Sequence, residues 1–184
     1  MDHEQPARSR RRFVRLLGAA SIPSVAGCIG DDSAEDGTGG ASVENDWQAA
    51  TLEDAHSGET FRIEAFEGPT IVHTFASNCL TCATQQDEFL TLREQREDIT
   101  IVELSVDPND TADDIAAYGE RGGYQWYVGV APASVTASLI QEFGQTVSVS
   151  AQSPIVIRCP SGQTRTVSKV AEPDELAGAI EESC

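Results

Sequence analysis

The pair Cys79 and Cys82, separated by Leu80 and Thr81, stands where an apolar run from Thr70 to Phe75 gives way to a helical pattern reaching about Arg96. Two cysteines one turn apart at a strand-to-helix junction are the signature of a thiol–disulfide redox site on an alternating α/β scaffold. A cysteine in a helix's first turn faces unpaired backbone N–H groups and the positive end of the dipole, which stabilises its thiolate. A free thiol of pKa about 8.5 is only a few per cent ionised at pH 7, whereas one lowered to about 7 is half ionised. Cys79 is therefore the candidate nucleophile and Cys82 the candidate resolving thiol. A zinc half-site is the alternative, but tetrahedral zinc wants four ligands, and no second Cys-x-x-Cys or His-x-x-x-His supplies the other two.

The N-terminus bears on where this chemistry takes place. Ser9, Arg10, Arg11, Arg12, Phe13, Val14 and Arg15 precede a short, mildly apolar run from Leu16 to Gly27, broken by Pro23. This resembles a twin-arginine export signal, and the run is too short for a spanning helix of about 20 apolar residues. Val25, Ala26, Gly27 and Cys28 resemble a lipobox, so residues 1–27 are expected to be removed and Cys28 to be lipidated. Two acyl chains hold a protein to a membrane where one does not. The alternative is plain secretion. From Cys28 to residue 46 the chain is acidic and almost without apolar residues, which reads as a disordered tether. The expected location is the extracytoplasmic face of the cell membrane.

Residues 47–184 have the length of one domain with one core. The net charge is −18, and loss of residues 1–27, with five Arg and two acidic side chains, takes it to about −21. Lys169 is the sole lysine. Acidic excess with almost no Lys points to a halophile, because in molar salt the Debye length falls to about 3 Å and self-repulsion is screened. The same charge argues against a nucleic-acid partner.

Hydrophobic periodicity gives strands at Trp47–Thr51, Thr60–Ile63, Thr70–Phe75, Ile99–Val106 and Gln125–Val130. Helices follow at about Thr111–Arg121 and Val135–Phe143. Apolar segments at Val147–Val149 and Ile155–Ile157 lead to a hairpin turning at Gly162 and returning over Thr164–Val170. A last amphipathic helix, Glu172–Glu182, opens with Pro173. Alternating β and α elements with a terminal hairpin predict an α/β fold in three layers.

Over essentially all of Trp47–Cys184 the chain resembles the thioredoxin superfamily, specifically its membrane-anchored TlpA/ResA-type members. The match rests on the strand running into Phe75, Ala76, Ser77, Asn78, Cys79, Leu80, Thr81 and Cys82, and on Ser153 and Pro154 before an apolar strand. The resemblance implies a three-layer α/β/α sandwich with a mixed central sheet, an N-terminal hairpin and a central β-α insert. It implies a monomeric thiol–disulfide oxidoreductase without a dissociable cofactor, reducing client disulfides and drawing electrons from a membrane donor. Pro154 takes the place of the family's cis-proline, which lies against the cysteines and shapes the substrate groove. His73, six residues before Cys79, stands where thioredoxins carry a buried acid, and an imidazole there can shuttle the resolving cysteine's proton near neutral pH. It can equally be a strand histidine satisfied by a neighbouring side chain. Many members have Trp before the first cysteine and Pro within the pair, where this chain has Asn78, Leu80 and Thr81, so the redox potential is not readable from the motif.

A second resemblance, in Ser105, Val106, Asp107, Pro108 and the following helix, is to the Sco family, which binds copper through two cysteines and a histidine. It implies an alternative role in copper delivery with Cys79, Cys82 and His73 as ligands, a soft set that suits copper. Sco proteins, however, space their cysteines by three residues and carry the histidine near the late strand, where Thr146–Ser153 has none. A peroxiredoxin resemblance fails at Ala76, where threonine is needed. The last two cysteines, Cys159 after the late strand and Cys184 at the end of the final helix, are brought by this topology to the end of the domain away from the dithiol. A structural disulfide between them is expected in an oxidising exterior; the alternative is two unrelated thiols.

Overall fold

A computed structural model describes residues 46–184. The expected signal segment 1–27, the lipidation site Cys28 and the tether up to residue 45 lie outside the described residues.

The first turn curls where a strand was expected. Asp46 Oδ1 accepts from the Gln48 N–H and its carbonyl accepts from the Ala50 N–H, so the backbone at Trp47 is a turn. The indole is buried, donating from Nε1 to Glu142 at 2.6 Å. β1 (Leu52–Glu53) and β2 (Thr60–Phe61) then pair as an antiparallel hairpin, and Ile63–Ala65 forms a 3-10 turn rather than prolonging the strand.

β3 (Thr70–Phe75), α1 (Leu80–Gln95), β4 (Thr100–Ser105), α2 (Ala112–Gly122), β5 (Tyr127–Val130) and α3 (Ala133–Phe143) follow in alternation. α2 starts on a capping box, Thr111 accepting from the Asp114 N–H while Asp114 accepts from the Thr111 N–H, and stops at Gly123 in a left-handed conformation. The apolar segment at Val147–Val149 runs out of a second 3-10 turn, Gln145–Ser148. There the Val147 carbonyl is taken by Thr74 Oγ1 at 2.6 Å and is lost to any β ladder. β6 (Ile155–Arg158) and β7 (Thr164–Val167) form the terminal hairpin, and α4 (Pro173–Ser183) closes the chain.

The five-stranded sheet has the order β5-β4-β3-β6-β7, with β3, β4 and β5 parallel and β6 and β7 antiparallel. Alternation along the strands separates two cores. Ile71, Phe75, Ile101, Ile155 and Ile157 pack with Phe89, Leu92, Ile115, Leu176 and Ile180 from α1, α2 and α4. Val72, Val102, Leu104 and Val156 pack on the other face against Val135, Leu139 and Trp47. His73 in β3 and Glu103 in β4 are register partners, in step with Ile71 and Ile101 on the α1 face.

Cys159 and Cys184 are joined by a disulfide with Cα atoms 5.2 Å apart, tying the last helix to β6. The Cys159→Ser/Cys184→Ser double variant is expected to lose about 3.5 kcal/mol of stability in the loop-entropy account, read as a lower urea midpoint in molar salt. An unchanged midpoint contradicts it.

Candidate active site

The carboxyl edge of β3 delivers the chain into a short loop that ends at Cys79, the N-cap of α1. Asp110 fixes this loop: its carboxylate accepts from Ser77 N–H (3.1 Å), Ser77 Oγ (2.6 Å) and Ser105 Oγ (2.5 Å). Burial pushes the Asp110 carboxyl up, but those three bonds outweigh it and hold it below its ordinary value.

Cys79 and Cys82 are disulfide-bonded. Cys79 is partly exposed and Cys82 fully buried. Cys79 Sγ accepts the Cys82 N–H at 3.2 Å, so the sulfur caps the helix. Such a cap favours a thiolate on Cys79 once the bond is opened. An attacking thiolate outside and a shielded partner beneath it are what sequential dithiol exchange requires.

The buried face of α1 is polar below the pair. Gln85 and Gln86 are fully buried, as are His73 and Glu103 beneath them. The Glu103 carboxylate accepts from Gln86 Nε2 (3.0 and 2.8 Å), Trp126 Nε1 (2.9 Å) and His73 Nδ1 (2.6 Å). Tyr118 donates to Gln86 Oε1. His73 Nε2 has no partner. Burial pushes His73 below its usual value, Lys169 adding to the effect, against the opposing bond and charge of Glu103. The neutral ring with its proton on Nδ1 fits both observations, since a protonated ring would bury an unpaired Nε2–H.

Because the folded-state pKa of His73 is depressed, the native state gives up a proton that the unfolded chain keeps. Its contribution is fully present above about pH 6.5 and is lost as the pH falls through the depressed value. Unfolding free energy should decline below pH 6.5 by up to about 1.4 kcal/mol per pH unit from this group. Urea titrations of the parent and of His73→Gln test this: the slope persists in the parent and disappears in the variant.

One expectation from the sequence is corrected here. Ser153–Pro154 is trans; the cis peptide among the described residues is Lys169–Val170. Trans is the intrinsically favoured form of an X–Pro bond, and Ser153 is anchored by its hydroxyl donating to Thr74 O at 2.8 Å. The residue this loop brings against the pair is Ser150, whose carbonyl lies 3.4 Å from Cys82 Sγ. Among the described residues, no three His, Cys, Asp or Glu side chains converge as a metal-binding group, and the His73 ring is held by Glu103.

Lys169, Glu103, Gln85 and Asp110 escaped the sequence reading. A lone acid inside the apolar run Ile101–Leu104 and a lone lysine in the chain were the available signals.

No protein-family model matches the sequence, and no curated protein matches it significantly. Solved structures do resemble it. A secreted Mycobacterium tuberculosis disulfide oxidoreductase homologous to E. coli DsbE is similar over 74% of this chain and 96% of its own, with a TM-score of 0.57 and 14% identity. The thioredoxin domain of a thiol-disulfide oxidoreductase from Bacteroides vulgatus is similar over 72% and 90%, TM-score 0.56, identity 18%. A SCO1/SenC family lipoprotein from Bacillus anthracis is similar over 72% and 91%, TM-score 0.55, identity 12%. These likenesses, together with the five-stranded mixed sheet and its flanking helices, show that the described residues of this chain have the thioredoxin-like fold.

Proposed function

We propose that this protein is a thiol–disulfide oxidoreductase that reduces disulfides of client proteins. The observation that carries the reading is the disulfide between partly exposed, helix-capping Cys79 and buried Cys82. Cys79 attacks a client disulfide, and Cys82 then displaces the client from the mixed disulfide. No dissociable cofactor is needed for this exchange.

The clients are proteins rather than small oxidants, and the apolar surface supports this. Leu80 (87% exposed), Val149 (45%) and Val170 (40%) are the exposed large hydrophobic residues among those described. Leu80 lies between the cysteines, and Val149 and Val170 are the chain neighbours of Ser150 and Lys169, the two residues that reach Cys82 Sγ. An apolar rim around a reactive sulfur suits an extended peptide segment.

The twin-arginine and lipobox resemblances support a lipid anchor on Cys28 at the outer face of the membrane, and the acidic composition supports a saline setting. A membrane donor then returns electrons to the pair. The test is reaction of the reduced chain with insulin in molar salt, scored by insulin thiols alkylated and read by mass apart from those of the chain, together with the mass of the N-terminal peptide from native membranes. Stoichiometric thiol release and a lipidated Cys28 support the proposal; no release contradicts the activity and an unmodified Cys28 contradicts the anchor.

A further inference from the structure

The sole lysine lies against the buried sulfur of the pair. Lys169 Nζ is 3.3 Å from Cys82 Sγ, donates to Ser150 O at 2.6 Å and lies 3.3 Å from Ser153 Oγ. Two of its three donor directions therefore have oxygen partners, and the remaining one meets the sulfur. We propose that Lys169 is a positioning residue that holds Cys82 as a thiolate when the pair is reduced and so speeds the resolving step. This rests on the redox reading given above.

A buried thiol without help is a poor nucleophile, because desolvation disfavours its anion. The first-turn N–H of α1 does not supply that help to Cys82: the Cys82 N–H is committed to Cys79 Sγ. The two sulfurs thus have separate sources of stabilisation, the helix terminus for Cys79 and the ammonium for Cys82.

The lysine's placement is enforced through the backbone. Gln85, one turn along α1 from Cys82 and fully buried, accepts the Ala171 N–H at 2.7 Å and donates to the Ala171 carbonyl at 3.1 Å. This clamp fastens the segment carrying Lys169 to the helix carrying Cys82. The titratable groups facing Nζ are Cys82 from α1, Glu103 from β4 and His73 from β3. Burial lowers Lys169 to about 8, with the Glu103 charge opposing.

In the mixed disulfide, the Cys82 thiolate's electron pair forms the bond to Cys79 Sγ. The bond between Cys79 and the client sulfur breaks, and that sulfur leaves with the bonding pair as a thiolate. Nζ stays an ammonium throughout: the proton given up by Cys82 passes to solvent, and the departing client thiolate takes its proton from solvent. The two electrons that reduce the client come from the dithiol, so no further reductant enters this step.

A single lysine permits a direct test in the full chain. Reductive ¹³C-methylation labels Nζ and the α-amino group, which titrate separately by NMR. The Nζ midpoint is expected to rise by at least about one pH unit on reduction, a tenfold gain in proton affinity. Equal midpoints in the two redox states overturn the proposal without any mutation.

In a Cys79→Ser background, Lys169→Met should move the pH profile of Cys82 alkylation to higher pH by about one unit. With Cys79 restored, the same change should slow release of a trapped client at pH 7 roughly tenfold, and Lys169→Arg should recover most of the rate. An unmoved alkylation profile overturns the assignment. Failure of the redox reading itself looks different, because the parent chain then releases no client at any rate.

Discussion

Cys79→Ser is expected to lose disulfide-exchange activity by roughly 10³-fold or more, whereas Cys82→Ser should accumulate as a covalent adduct with its client. The asymmetry follows from burial. Cys79 Sγ is reachable and capped by a backbone N–H, so its loss removes the attacking group. Cys82 is enclosed by Ser150 and Lys169, so its loss removes only the group that frees the client. Non-reducing electrophoresis of both variants after exposure to an unfolded disulfide protein measures this. Trapping by Cys79→Ser in place of Cys82→Ser would reverse the two roles.

Glu103→Ala is expected to cost about 4 kcal/mol, because it leaves buried donors from His73, Gln86 and Trp126 with no acceptor. Glu103→Gln keeps one acceptor oxygen and should cost less than half as much. Urea unfolding of both variants checks the order; equal, small losses would mean that the network is not held through Glu103. The same change should disturb His73 most, since Glu103 is its hydrogen-bond partner and its opposite charge.

The parts of this architecture governed by local sequence were legible in advance. The apolar run at β3, the capping residues Thr111 and Asp114, and the Pro173 start of α4 each carry their own signal, and each element lies within two or three residues of its expected place. Trp47 misled because an apolar residue can be buried from a turn as readily as from a strand. There side-chain hydrogen bonds to the backbone of Trp47 and Gln48 take groups that a ladder would use.

The dithiol was readable because cysteine spacing is local information. Its surroundings were not. Lys169 reaches Cys82 from 87 residues away, and Glu103 gathers donors from β3, α1 and the segment before β5. Gln85 and Gln86 look like ordinary exposed helix positions until the buried stripe Cys82, Gln85, Gln86, Phe89, Leu92 is seen to include them. A proline's isomer is likewise decided by tertiary context, so Ser153–Pro154 could not be assigned as cis from the dipeptide.

The central claim is that Cys79 and Cys82 form a redox-active pair while Cys159 and Cys184 form a structural one. Its most direct test is equilibration of the full chain with graded thiol–disulfide buffers in molar salt, with each cysteine's state read by alkylation and peptide mass. The account predicts one reversible two-electron transition at Cys79 and Cys82 in a chain that stays folded, with Cys159–Cys184 opening only at lower potential. Simultaneous reduction of both disulfides, accompanied by unfolding, would contradict it.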